Sequence, residues 1–365
     1  MNILFITLGI FQDKGGIGKF NQRILRVMDE MLDTEEIESA MALSLWDNQK
    51  DLDGKFSKVR VIGFNKKKIS NLIAIIRAIA KGHFSYIIFG HVLFFPLFPL
   101  RSWLSRSSNQ LLIVHGVDVW DKPTKLKRFI VDRFIDRIIS VSSQTANRMA
   151  ESYKLSNLRF LIFQNSIDLG TVDLSISPMP DKNGYRLLSV SRLSKESKHK
   201  NIDKTIESLP YILEQFPDLR YIVVGDGSWK SDLKELSKSL GVESSVFFLG
   251  ELDDKERDIQ YNLADVFVLP STREGFGIVF LEAWKFRLPI VTSNQGAALE
   301  VVRDGIDGFC VDPSPQEIAK AVCNLLVDPE LRRKMGESGN ARLREYFSHE
   351  KFRDAFRGLI FKHNP

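Results

Sequence analysis

Short apolar, β-branched runs alternate with stretches of helical spacing over almost the full length of the chain. In the first half the runs predict strands over residues 2–8, 39–45, 59–63, 86–90, 110–114, 137–141 and 159–163, with helices at 19–32 and 70–80 between some of them. In the second half strands are expected at 185–191, 221–225, 246–249, 266–269, 289–292 and 308–311, and helices at 202–216, 230–240 and 278–286. Such alternation means an α/β chain of mostly parallel sheets covered on both faces. Between residues 168 and 184 the pattern lapses into Thr, Ser, Pro, Met, Asp and Asn, the signature of a linker. The expected organisation is a Rossmann-like domain over 1–168, a linker over 169–184, a second Rossmann-like domain over 185–345, and a helix over 346–365 crossing back to the first domain. Two doubly wound domains face each other across a cleft, and ligands sit beyond the carboxyl ends of the strands.

At 365 residues the chain exceeds the usual size of a single core, which agrees with two domains. The apolar start lacks a basic leader and a small-residue cleavage site and runs straight into Asp13-Lys14-Gly15-Gly16, so it reads as a buried first strand. The apolar stretch 86–100 is interrupted by Gly90, His91, Pro96 and Pro99 and is too short to span a bilayer. The two cysteines, Cys310 and Cys323, make no disulfide framework and fit a reducing, cytoplasmic compartment.

Charge is divided unevenly. Residues 1–168 carry 24 Lys/Arg against 16 Asp/Glu, and residues 55–137 alone carry 16 against 4. Solubility is the plain reading of such an excess. A negatively charged partner of the first domain is the sharper one, either an anionic membrane surface or a phosphorylated acceptor. No aromatic-plus-basic recognition motif accompanies the charge, so nucleic acid is not expected. Lys66-Lys67-Lys68 opens an amphipathic stretch, 69–80, and the apolar run 92–100 with Phe94, Phe95, Leu97 and Phe98 either adds contact with lipid or belongs to the core.

The densest chemical signal follows the strand 266–269. A loop carries Glu274, then Gly275-Phe276-Gly277 let backbone approach a ligand, and a helix opens at Ile278 with its positive end facing the same place. Glu282 lies about one turn into that helix. Two carboxylates are thereby offered to vicinal hydroxyls, such as those of a ribose and a hexose; as single residues they read equally well as a cap and a solvated helix position. This stretch resembles the Glu-x7-Glu motif of retaining GT-B glycosyltransferases of family GT4, the glycosyltransferase group 1 proteins. Further likenesses follow in order: Ser191-Arg192-Leu193 through Lys200-Asn201, Gly225-Asp226-Gly227 after a strand, Phe247-Phe248-Leu249-Gly250, and Asp304-Gly305-Ile306-Asp307-Gly308. In the first half His115-Gly116-Val117-Asp118 is similar to the family's His-Gly-x-(Asp/Glu) segment, and Asn165-Ser166-Ile167-Asp168 to the segment that closes the first domain.

The resemblance implies the GT-B architecture and transfer of a hexose, with retention at the anomeric carbon, from a UDP- or GDP-sugar to a glycan or lipid-linked acceptor in cell-surface polysaccharide synthesis. It implies His115, Arg192, Lys200 and Glu274 as catalytic residues. Donor contacts fall to Gly16, Arg192, Lys200, Gly225, Gly227, Glu274, Gly275, Phe276, Gly277, Ile278 and Glu282. Breaking a sugar–diphosphate bond builds negative charge on the leaving phosphate, which a guanidinium and an ammonium in a closed site can stabilise. No cofactor is expected, because the nucleotide sugar is a substrate, and no metal, because Asp51 and Asp53 read as a surface turn and no His/Cys cluster has ligand spacing. Oligomeric state is left open.

Three departures accompany the likeness. Asn201 and Arg287 stand at usual glycine positions, and Gln295-Gly296-Ala297-Ala298-Leu299-Glu300 lacks a glycine and a proline of the usual turn. Two other classes compete: a non-catalytic nucleotide-binding protein, and a P-loop ATPase built on Lys14-Gly15-Gly16-Ile17-Gly18-Lys19. The loop of such an ATPase needs a hydroxyl for Mg²⁺ where this chain has Phe20.

Overall fold

The structure is a computed structural model that describes residues 1–13, 15–104, 108–170 and 184–361. Lys14 and nearly all of the expected linker lie outside the described residues. The chain divides into two units, Met1–Asn165 with the segment that starts at His349, and Ser166–Ser348.

The first unit holds β1 (Asn2–Thr7), β2 (Ser39–Ser44), β3 (Arg60–Gly63), β4 (Tyr86–Phe89), β5 (Asn109–Val114), β6 (Arg137–Ser140) and β7 (Phe160–Ile162), ordered β3-β2-β1-β4-β5-β6-β7. The second holds β8 (Arg186–Val190), β9 (Arg220–Val224), β10 (Val246–Gly250), β11 (Val266–Leu269), β12 (Ile290–Ser293) and β13 (Gly308–Val311), ordered β10-β9-β8-β11-β12-β13. Every named strand pair is parallel. Central strands such as β4 and β11 are buried at every position, because helices cover both faces. Each unit is thus doubly wound and Rossmann-like, with switch points at β1/β4 and β8/β11, where the strand order reverses.

In the first unit Ile6, Phe89, Leu112 and Val114 pack with Ile75 and Ile79 from the Lys68–Lys81 helix. Phe20, on the Gly16–Asp33 helix, is fully buried and meets Phe163 and Phe352 edge-on at 5.6 and 5.5 Å. Phe352 belongs to the terminal helix His349–Phe361, which is also held by Tyr86, whose hydroxyl donates to the Ile360 carbonyl at 2.8 Å. Burying one such phenyl ring stabilises the unit by about 2–3 kcal/mol. A Phe in this place anchors the helix to the core rather than serving a cation.

The apolar run 92–100 resolves as core. Phe94 and Phe98 are buried, Phe95 and Leu97 pack against them, and Leu93 points out, so most of the run is unavailable to lipid. The Lys68–Lys81 helix is divided: Ile75 and Ile79 face inward, while Ile69, Leu72 and Ile73 are exposed.

In the second unit the Ile278–Lys285 helix is locked from behind. Trp284 is fully buried, a side-chain carbon at Gly339 would come within 2.1 Å of its indole nitrogen, and Asn340 donates to the Trp284 carbonyl at 2.8 Å. Arg287 has φ +57° and Asn201 φ +57°, the left-handed conformation for which glycine is the usual choice.

Candidate active site

The residues picked from the second half gather at the switch point of their sheet. Ser191 to Lys200 follows β8 and Glu274 follows β11, and these two strands are neighbours, pairing Leu187 with Val266 and Leu188 with Phe267. The crevice between them opens at the carboxyl ends, where doubly wound sheets take ligands.

Arg192 is presented by close backbone stacking. Gly225 has φ +130°, and a side-chain carbon there would lie 1.9 Å from the Ser191 carbonyl oxygen; at Gly227 it would lie 2.5 Å from the Leu193 carbonyl. The Leu193 amide donates to the Asp226 carbonyl at 2.9 Å, and the Trp229 amide to the Leu193 carbonyl at 2.7 Å. Buried Leu193 anchors this double loop, so Arg192 stands exposed and has no partner among the described residues. The two glycines therefore hold the arginine loop by lacking side chains.

Lys200 and Glu274 form an ion pair at 2.5 Å, with side chains only 20% and 12% exposed. Two tethers fix the loops that carry them. The Asn201 side-chain amide donates to the Pro270 carbonyl at 2.7 Å, and the Thr272 amide and hydroxyl donate to the His199 carbonyl at 2.9 and 3.3 Å. Asparagine tolerates the left-handed turn and supplies a hydrogen bond that glycine lacks. Burial, then the Lys200 cation, lowers the affinity of His199 for protons, against the opposing pull of Glu274.

Beyond Glu274 the chain turns through Gly275 and buried Phe276, which meets Phe347 edge-on at 5.9 Å. Gly277 caps the helix at φ +93°, where a side-chain carbon would strike the Phe280 ring at 2.4 Å. Among the described residues no side chain caps the helix that opens at Ile278, and the macrodipole favours an anion at such an end. Glu282 is turned to its own unit: its carboxylate accepts from the Tyr261 hydroxyl at 3.0 Å and lies 3.7 Å from Arg257. Burial and the Glu282 charge raise the Tyr261 phenol far above its usual range. Tyr261, Arg257 and Thr272 carry no signal in the sequence, whereas Asn201 carries one, as an asparagine at a usual glycine position.

In the first unit His115 follows β5. Its Nε2 lies 3.0 Å from the Gly90 carbonyl, its ring meets Phe20 edge-on at 5.3 Å, and its amide donates to Asp118 at 3.1 Å. Burial pushes its pKa down to about 4, so the ring is neutral near pH 7. A carbonyl partner requires the proton on Nε2, which leaves Nδ1 as a lone-pair acceptor. Asp118 is shifted the other way by burial. The turn after β1 is held in place by Asp47, whose buried carboxylate accepts from the amides of Ile10 (2.7 Å), Phe11 (2.9 Å) and Gln12 (2.8 Å). Asn21 and Gln22 take the Gly9 and Ile10 carbonyls, and the Gly15 amide donates to Asp13, bringing Gly16 to the start of its helix. Asp51 accepts from Gln12 and Asp53 from Gln49. Among the described residues no three His, Cys, Asp or Glu side chains gather to hold a metal ion. No helix there is long and apolar enough to cross a membrane.

Residues 176–342 match the family model described as "Glycosyl transferases group 1". The chain is 31% identical over 278 residues to a GDP-mannose-dependent alpha-(1-6)-phosphatidylinositol monomannoside mannosyltransferase of Mycobacterium tuberculosis, covering 72% of each. It is 32% identical over 267 residues to the lipopolysaccharide core biosynthesis glycosyltransferase LpsE of Rhizobium meliloti, covering 72% of this chain and 75% of that one. Its fold is similar to that of Anabaena Alr3699/HepE in complex with UDP and glucose, with a TM-score of 0.78, 18% identity and 98% of each chain covered.

Proposed function

We infer the reaction from one premise: the chain belongs to the glycosyl transferases group 1 family, GT4, and has the GT-B fold of two Rossmann-like units. It is a glycosyltransferase that uses a nucleotide sugar. The finer reading is that it moves a hexose from a UDP- or GDP-sugar, with retention, to a glycan or lipid-linked acceptor in cell-surface polysaccharide synthesis. Relatives named for a phosphatidylinositol mannoside and a lipopolysaccharide core support the acceptor class. The basic first unit supports reversible contact with an anionic membrane, on the cytoplasmic face.

The observation that carries the reading is the Lys200–Glu274 pair at the β8/β11 switch point, on the loops that also carry Arg192, whose side chain has no partner among the described residues. In this reading Arg192 grips the diphosphate with its fork, and Lys200 meets the charge that grows on the leaving oxygen. As Lys200 turns to phosphate, Glu274 is released to accept hydrogen bonds from sugar hydroxyls. Gly275, Phe276, Gly277 and Ile278 bring amides to the donor, Gly225 and Gly227 line its loop, and Glu282 takes the ribose. Gly16, which opens the helix after β1, is the first unit's residue assigned to the donor in this reading. Retention follows if the leaving phosphate accepts the proton of the incoming hydroxyl, and neutral His115 offers Nδ1 to a hydroxyl as an acceptor. With two side-chain cations and helix N-termini on the phosphates, transfer proceeds without a metal.

The test is a panel of UDP-, GDP- and ADP-hexoses, read by thermal shift and by product formation with the anomeric configuration assigned by NMR, in excess EDTA. One donor should raise the melting temperature and yield a retained product. Inversion, or activity lost in EDTA and restored by Mn²⁺, refutes the finer reading. Mg²⁺-dependent ATP binding without sugar transfer would favour the P-loop alternative, which the buried position of Phe20 argues against.

A further inference from the structure

We propose that Tyr261 and Arg257 are positioning residues that hold the Glu282 carboxylate in place for the donor's ribose, and so set a preference for a ribonucleotide. Their role rests on the reading above, in which Glu282 takes the ribose and neither residue has a part. A glutamate on a helix surface moves among several rotamers, and ordering such a side chain on a ligand weakens binding. Glu282 is ordered beforehand. Its Oε2 accepts from the Tyr261 hydroxyl at 3.0 Å, its Oε1 lies 3.7 Å from an Arg257 Nη2, and its side chain is only 14% exposed. Both partners stand on the Asp254–Leu263 helix, one turn apart and therefore on one side of it. Two further contacts join that side to the Ile278–Lys285 helix and the residue after it. Asp258 accepts from Lys285 at 3.0 Å, and the Tyr261 ring stacks on Phe286 at 5.7 Å with 6° between the planes. Tyr261 is fully buried, and burial, then the Glu282 charge, keeps its phenol protonated as a fixed donor.

Apolar side chains would join two helices with less loss of hydration than a carboxylate, a guanidinium and a phenol sunk in one seam. Polar partners are warranted where the carboxylate itself must be presented. Ile278 opens its helix at the end assigned to phosphate, and Glu282 follows one turn later, about 6 Å along the axis. A ribose joined to a diphosphate at that end spans such a distance. A carboxylate has lone pairs enough to hold a partner on each oxygen and still accept from both hydroxyls of a vicinal diol. Arg257 has a second effect: its charge offsets that of Glu282, which would otherwise repel the phosphates. The frame behind these residues is firm. Arg257 is also paired with Asp254 at 2.7 Å, and Asp253 and Glu256 cap the start of their helix reciprocally at 2.8 and 3.0 Å.

The experiment titrates UDP, GDP and ADP, and the 2′-deoxyribose form of each, into the full chain by calorimetry. Four chains are compared: the parent, Tyr261→Phe, Arg257→Gln and Glu282→Ala, with thermal melting followed in parallel. The parent should bind one ribonucleoside diphosphate about tenfold or more tighter than its 2′-deoxy form. Glu282→Ala should erase that preference. Tyr261→Phe and Arg257→Gln should each cut it to about threefold or less, by weakening the ribose form, because the carboxylate remains but is no longer held. Equal weakening of both forms in the two variants would make Tyr261 and Arg257 structural supports and overturn their positioning role. Full parental preference in both variants, with none in Glu282→Ala, would also overturn it and leave the ribose contact of Glu282 intact. A parent that binds a diphosphate equally well with and without the 2′-hydroxyl would remove the ribose contact together with its positioning residues.

Discussion

Removing Lys200 separates a structural ion pair from a catalytic cation, because the two roles respond oppositely to a second substitution. Glu274 is only 12% exposed and pairs with the Lys200 ammonium at 2.5 Å, so Lys200→Met leaves a largely desolvated carboxylate uncompensated. A fully buried pair broken from one side costs about 3–5 kcal/mol, and the 20% exposure of Lys200 brings this to about 1–3 kcal/mol. Glu274→Gln strands the ammonium at a similar cost. In the double variant neither charge remains, so the stability should return to within about 1 kcal/mol of the parent. Catalysis should not return. If Lys200 meets charge that grows in the transition state, its loss lowers kcat by about two powers of ten or more. The assay pairs urea denaturation with single-turnover transfer for the parent, both single variants and the double variant. Transfer by Lys200→Met within threefold of the parent, or recovery of the rate along with stability in the double variant, would refute the catalytic assignment.

Asn201→Gly keeps the left-handed turn but removes the bond to the Pro270 carbonyl, whereas Asn201→Ala loses both. The glycine variant should lose transfer several-fold with its melting temperature nearly unchanged, and the alanine variant should lose about 1 kcal/mol of stability besides; equal activity in all three would leave Asn201 without a positioning role. His91 and His115 both have pKa values pushed to about 4 by burial, so between the unfolded value near 6.5 and about 4 the native state binds fewer protons than the unfolded one. Stability of the first unit should fall as pH is lowered through that window, with buried Asp118, raised by burial, opposing the loss at the acid end. Urea melts at several pH values, repeated with His115→Gln, should show a shallower slope in the variant, and an unchanged slope would refute neutral burial of His115.

Two doubly wound units were legible from alternation alone, because a strand covered on both faces must be apolar and short while its crossover helix must be amphipathic. The places of Glu274 and Arg192 in loops after strands were legible too, since the apolar runs stop where the charges and glycines begin. Other features depended on which chain segments become neighbours. The period of 92–100 cannot say that Phe94 and Phe98 turn into a core, nor that the apolar residues left over protrude at Leu126 and Phe129. Those assignments follow from which helix covers which strand. The work of Gly225 and Gly227 is invisible until the Ser191–Ser194 backbone lies against them, and Asn201 reads as a mere departure until Pro270 stands 2.7 Å away. The sequence by itself determined the alternating elements and the chemical character of the loops, because periodicity and residue type are local properties. Only tertiary structure decided which partner occupies each charge: Lys200 on Glu274, Glu282 on Tyr261, and Arg192 left exposed. Hydrogen bonds and ion pairs reach only a few ångströms, and chain folding alone brings residues 74 positions apart within that range.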